Sequence, residues 1–221
     1  VLQKVSYKEQ IYQYLKEAII KGDLKPGEIY SEQQFADKLN VSRTPVREAI
    51  LQLKSEDLVE IYNNRGLGIK PLTEADLEQI IQARIAIENY GVHRLARHYQ
   101  EEEAQKTLKA LNRCQVESYE FVKDEAHHYE FTKKDMEFHL LILNYTHNQY
   151  LIRWYEQLRV HVERATIHSL LSAKRNARAY AEHQRILDAL NGGDPDDAVK
   201  AMMYHMKQTT KVLEVRSSGA N

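Results

Sequence analysis

The chain is poor in residues that cross-link, stiffen or break a backbone. One cysteine, Cys114, stands among 221 residues, so no internal disulfide framework can form and a reducing compartment is expected. Four prolines and 8 glycines are too few for a turn-dense β protein or a low-complexity chain. No apolar run approaches the ~18 residues of a membrane span, and the opening Val1-Leu2-Gln3-Lys4 has no signal-peptide core, so a cytoplasmic protein without membrane association is expected. An excess of one charge is missing too. The 31 Lys plus Arg against 32 Asp plus Glu leave a net charge of -1, which excludes a polycation and requires any nucleic-acid site to come from local clustering. All 10 histidines follow residue 90, so the two halves of the chain carry different chemistry. What is present, 43% hydrophobic and 29% charged residues, suits a mostly helical soluble chain long enough for two modest domains.

Val41 to Leu53, V-S-R-T-P-V-R-E-A-I-L-Q-L, reads as a helix presented outward. Ser42 is a suitable N-cap, and Pro45 falls in the first turn, where a missing N-H breaks no intrahelical bond. Val46, Ala49, Ile50 and Leu53 form one buried stripe, while Arg43, Thr44 and Arg47 share the opposite face. A recognition helix enters the DNA major groove with its N-terminal residues leading, where guanidinium groups fork onto guanine edges or clamp phosphates. The plain alternative is a solvated face with two ordinary arginines. Ser31 to Leu39 upstream reads as a helix opened by a Ser31/Gln34 capping box, with Phe35, Ala36 and Leu39 facing in. Asn40 and Val41 then make the turn of a helix-turn-helix. Residues 7 to 21, with Tyr7, Ile11, Leu15 and Ile19 at near-heptad steps, predict a supporting helix stopped at Gly22. Leu58 to Tyr62 and Leu67 to Lys70 read as strands of a hairpin closed by Asn63-Asn64-Arg65-Gly66, the wing.

With L-K-P-G-E, S-E-Q-Q-F-A, V-S-R-T-P-V-R-E-A-I and the Gly66 hairpin in place, residues 7 to 70 closely resemble the N-terminal domain of GntR-family bacterial transcription regulators. Ser42, Arg43, Thr44 and Arg47, with Arg65 and Gly66 of the wing, are the expected contacts to double-stranded operator DNA. Residues 1 to 72 carry 11 basic against 10 acidic side chains, so placement and not domain charge supports this reading. One winged helix makes few base contacts, which predicts a homodimer on a palindromic operator.

Thr73, with Asp76 three residues on, caps the next helix and sets the domain boundary. Residues 73 to 215 show only helical patterns, broken near Gln100, Lys123 to Glu125, His147-Asn148, Ala173 to Asn176 and Gly192 to Pro195. Residues 216 to 221 read as a disordered tail. The fold class expected is mainly α, a winged helix-turn-helix followed by an all-α antiparallel helical bundle.

Within that bundle several polar residues lie on apolar stripes. Asp135 and His139 share the face of Phe131, Phe138 and Ile142; His183 lines up with Ile186, Leu187 and Leu190; His205 lines up with Ala198, Ala201, Met202 and Thr209. Burying a carboxylate without a partner costs roughly several kcal/mol, so something should compensate it. One Asp and three His suit a divalent transition metal: zinc first, with nickel, cobalt or iron possible. Each histidine alone could be a satisfied core residue, and His161 and His168 are rival ligands. Arg84 and Glu88 lie in the seam of Leu77, Ile81, Val92 and Leu95, where the guanidinium is either paired with Glu88 or awaits an anion.

R-x-x-x-E at Arg84 to Glu88, D-M-E-F-H at Asp135 to His139, Asn148, E-H-Q-R-I-L-D-A-L at Glu182 to Leu190, and G-D-P-D-D-A running on to M-M-Y-H at His205 resemble the FCD ligand-binding domain of the FadR-type subfamily over residues 77 to 210. That resemblance implies a metal held by Asp135, His139, His183 and His205. It also implies a small organic acid effector oriented by Arg84; beside it, Glu88 as the partner of Arg84, and Arg159 and Arg164 on the helix after Asn148, are the further effector residues expected. The function expected is an operator-binding regulator controlled by a carboxylate at a metal site. The alternative is a hydrolase or other metalloenzyme using the Asp and His set, and a third possibility is a purely structural metal domain with a closed ligand shell.

Overall fold

A computed structural model describes residues 6–62, 65–122, 127–170 and 175–217, without the side chains of 168–170 and 210–217. The chain divides into two compact units, Val1–Leu72 and Thr73–Asn221.

The first unit runs α1 (Tyr7–Lys21), β1 (Ile29–Tyr30), α2 (Glu32–Leu39), α3 (Arg43–Ser55), β2 (Val59–Tyr62) and β3 (Gly66–Ile69). Ser6 caps α1 through the amide of Glu9, and Gly22, at φ 80°, ends it in the left-handed region that glycine enters without a Cβ penalty. Ile11, Leu15 and Ile19 of α1 are buried with Val46, Ala49, Ile50 and Leu53 of α3, whereas Tyr7, expected on the same stripe, is exposed. The Ser31/Gln34 capping box is formed in both directions, and Asn40 closes α2 with φ 52°. Truncating a fully buried leucine such as Leu53 would cost roughly 2–5 kcal/mol, so this small core depends on each member of the stripe.

The sheet has the order β1-β3-β2, antiparallel throughout, with Leu67 opposite both Tyr30 and Ile61. Strand β1 was not expected: two residues are too short to show alternation, and it exists only because β3 returns beside it. The Asn63-Asn64 half of the expected turn lies outside the described residues. Arg65 donates its amide to the Tyr62 carbonyl across the hairpin. Gly66 sits at φ 120°, and a Cβ there would strike the Tyr30 carbonyl oxygen, so the wing needs glycine at its base.

The second unit comprises α4 (Glu74–Arg97), α5 (Glu102–Ser118), α6 (His128–Tyr145), α7 (Gln149–Leu170), α8 (Arg175–Gly192) and α9 (Pro195–Ser217), with a 3-10 turn at Tyr119–Phe121. A reciprocal Thr73/Asp76 capping box opens α4. Helix α8 starts at Arg175, inside the break expected at Ala173 to Asn176. Helix α9 runs through Arg216 and Ser217, which corrects the expected start of the tail; 218–221 lie outside the described residues. Val92, Leu95, Leu111, Phe138, Ile142, Ile186, Leu190, Met202 and Met206 share one apolar cluster. Gly91 of α4 faces Ile142 of α6, whose Cγ2 would lie 3.0 Å from an added Cβ. That close approach matters one turn earlier on each helix, where it brings Glu88 to His139.

Candidate functional site

On α6, Asp135 and His139 are one turn apart and both buried; His183 of α8 and His205 of α9 meet them from the far side. None of the four is more than 4% exposed. Their candidate ligand atoms all lie within 4.8 Å of one another, a span that a single ion's ligand shell can cover. The imidazole rings converge, with centroids 5.1 Å apart for His139 and His183, 5.1 Å for His139 and His205, and 4.7 Å for His183 and His205. His183 is also stacked on Phe138 at 4.5 Å, which fixes its plane.

The donor chemistry fits a cation. Asp135 Oδ2 and the Nε2 atoms of His139, His183 and His205 are buried without a hydrogen-bond partner among the described residues. Four buried ligand-type atoms converging on one point suit a coordination shell around a metal. The protonation states agree. Burial pushes the imidazolium pKa of His183 down, and that of His205 well down, so both rings stay neutral. Burial alone would raise the Asp135 carboxyl, but His183, His139 and Arg84 hold it far below the usual carboxylate range.

Two carboxylates orient the ligands from behind. Glu88 Oε2 lies 2.5 Å from His139 Nδ1, and Glu182 Oε2 lies 2.8 Å from His205 Nδ1. At His205, where the hydrogen bond is formed, the carboxylate fixes Nδ1 as the donor and leaves Nε2 as the lone pair for a metal, while Glu88 stands at ion-pair distance from His139. Arg175 in turn clamps Glu182 with two parallel bonds of 2.9 Å and donates to Thr209 Oγ1 at 3.1 Å, tying α8 to α9. Glu182 and Arg175 were not singled out from sequence. Their signal was weak: two buried polar residues seven apart on one helix, next to His183.

Arg84, 1% exposed, is paired with Glu88. Its Nε donates to Glu88 Oε1 at 2.7 Å, while Nη2 is buried with no partner among the described residues. Burial opposes the charge, but Glu88, Tyr155 and Asp135 outweigh it and raise the guanidinium pKa above its ordinary value. A buried guanidinium with an unused edge has the geometry to take an anion. Arg164 is buried on α7, its pKa lowered by burial against the opposing charge of Asp76. Arg159 does not join the cluster: it is 44% exposed and paired with Glu156 and Glu163 of its own helix. Positions 159 and 164 are about 140° apart around a helix, so the two arginines could not share a face.

In the first unit Ser42, Arg43, Thr44 and Arg47 are all exposed at the start of α3. Ser42 has the extended backbone of an N-cap, but its hydroxyl makes no capping bond. The third helical residue is Pro45, which has no N-H to give, so the expected cap is positional only. Arg43, Arg47, Arg65 and Gly66 line one open cleft between α3 and the hairpin.

Together these features define a class: a winged helix-turn-helix joined in one chain to an all-helical domain that encloses a ligand-type cluster. The family models name it. Residues 7–69 match "Bacterial regulatory proteins, gntR family" and residues 79–208 match "FCD domain". The chain belongs to the GntR family, with an FCD domain as its second part, and is a transcriptional regulator and not an enzyme. The HTH-type transcriptional regulator LutR of Bacillus subtilis (strain 168) is 32% identical over 87% of this chain and 94% of its own. The HTH-type transcriptional repressor RspR of Escherichia coli (strain K12) is 26% identical over 96% and 92%. The solved structure of E. coli McbR/YncC superposes with a TM-score of 0.73 at 21% identity, covering 97% of this chain and 100% of that one, which is a likeness of fold.

Proposed function

We propose that this regulator binds a palindromic operator as a cytoplasmic homodimer, and that a small organic acid controls binding from a metal site in the FCD domain. The observation that carries the reading is the convergence of four buried, unpartnered ligand atoms from Asp135, His139, His183 and His205 beside the unused Nη2 of Arg84. A divalent cation of the zinc type, with nickel, cobalt or iron as competitors, would supply a Lewis-acid position for one carboxylate oxygen. Arg84 supplies a guanidinium edge for the other. Because the cluster is drawn from α4, α6, α8 and α9, an anion bound there favours one packing of the bundle, and its differential affinity for that packing is the free energy available for control.

The metalloenzyme alternative loses its base. Glu88 and Glu182 are carboxylates within the cluster, but both face an imidazole Nδ1 and an arginine, which suits orienting ligands and not activating water. At the DNA end, Ser42, Arg43, Thr44 and Arg47 would enter the major groove while Arg65 and Gly66 follow the backbone. Arg43→Ala and Arg47→Ala should each lower operator affinity by about 1–3 kcal/mol.

Calorimetry of metal-loaded protein against mono-, di- and tricarboxylates tests the sensor. A binder whose affinity collapses in Arg84→Ala and after chelation is expected. A ligand indifferent to both changes would leave the site without a role.

A further inference from the structure

Glu32 is the first residue of α2, yet it lies against the start of α3. Its carboxylate accepts from Arg43 Nη2 at 3.2 Å, from Arg47 Nε at 3.1 Å and from Arg47 Nη2 at 3.0 Å. The arginine side chains are 57% and 61% exposed, while that of Glu32 is only 19% exposed. The carboxylate therefore sits beneath two guanidiniums that face outward. On a surface meant for a polyanion, a fixed negative charge opposes binding, and an ordinary exposed ion pair adds little to stability. Geometry supplies a reason for it. Arg47 uses Nε and Nη2, the side-on edge of the guanidinium. The end-on edge, formed by Nη1 and the second Nη2 proton, remains planar and points away from Glu32. That edge has the fork needed for the O6 and N7 acceptors of guanine. Arg43 is held by one longer bond and keeps more freedom.

We propose that Glu32 is the positioning residue of the DNA-reading face: it holds Arg47 side-on so that its end-on edge meets a guanine in the major groove. The inference rests on the reading of α3 as the DNA-contacting helix. Two guanidiniums one turn apart repel each other and sample many rotamers; a shared carboxylate removes both penalties before DNA arrives. Specificity is gained at the expense of general attraction, because the same carboxylate repels phosphate.

The test uses the full chain and a duplex selected from a randomised pool, with a scrambled duplex of equal length as the non-specific probe. Fluorescence anisotropy gives both affinities for Glu32→Gln, Glu32→Ala, Arg43→Ala, Arg47→Ala and Glu32→Ala/Arg47→Ala. The Glu32 variants should lose about tenfold or more in the ratio of selected to scrambled affinity, as expected for one bidentate base contact, while scrambled DNA binds as well or better. In the double variant the loss should be no larger than in Arg47→Ala alone, and Glu32→Asp should recover part of the ratio. An unchanged ratio in Glu32→Ala, or a parallel loss on both duplexes, would overturn the proposal. Unchanged binding by both arginine variants would instead remove the reading of α3 on which it rests.

Discussion

Replacing His183 with alanine separates a metal centre from a merely buried histidine. In the metal-free protein His183 Nε2 is buried 3.2 Å from the carboxylate oxygen Oδ1 of Asp135. Removing it there takes a neighbour from Asp135, deletes the stack on Phe138, worth about 0.5–1.5 kcal/mol beyond area, and opens a cavity, so the metal-free protein should itself melt lower. With metal the arithmetic differs. A ligand at 1,000 times its Kd that binds only the folded state stabilises by about 4.1 kcal/mol, and each kcal/mol shifts a unit of about 150 residues by roughly 2–4 °C. Wild-type protein should therefore melt about 8–16 °C higher with zinc than after chelation. In His183→Ala that gap should shrink to a few degrees. Scanning calorimetry of chelated and zinc-reloaded samples reads both numbers. An undiminished gap in His183→Ala would show that zinc stabilises from elsewhere and would refute the assignment of this ligand.

Metal retention should follow proton competition: the ligating form is the neutral imidazole, and His183 and His205 are held neutral below the ordinary imidazole range, so affinity should be flat through neutral pH and fall only below about pH 6. A decline already between pH 8 and 7, measured with a competing chelator, would contradict it. Gly66→Ala forces a Cβ against the Tyr30 carbonyl at φ 120°, so the first unit should lose roughly 1–3 kcal/mol, seen as an earlier denaturant midpoint. Light scattering at micromolar concentration should give the mass of two chains; a strict monomer with and without DNA would remove the palindrome argument.

The helices were legible because their ends are written in local chemistry. Ser31 with Gln34, Thr73 with Asp76, and Gly22 are short-range signals that fold as they read. The ligand cluster was legible for a different reason: Asp135, His139, His183 and His205 each break an apolar stripe, and a buried polar group needs a partner wherever it points. What stayed hidden depends on contacts between helices. Glu182 reaches His205 across to α9, and the period of α8 says nothing about that neighbour. Glu32 meets Arg43 and Arg47 across the turn at Asn40, 11 and 15 residues away, and reads locally only as a first-turn acid. The pairing of Arg159 with Glu156 and Glu163 was hidden too, since an arginine near a candidate site on one helix carries no information about its face until the angle is counted.

Anomalous scattering above and below the metal absorption edges, from crystals of protein purified without chelators or nickel resin, locates any cation held between α6, α8 and α9. A single strong peak is expected about 2.0–2.2 Å from one atom each of Asp135, His139, His183 and His205. No peak at that position, or a peak on exposed histidines with this cluster empty, would contradict metal binding by these four residues.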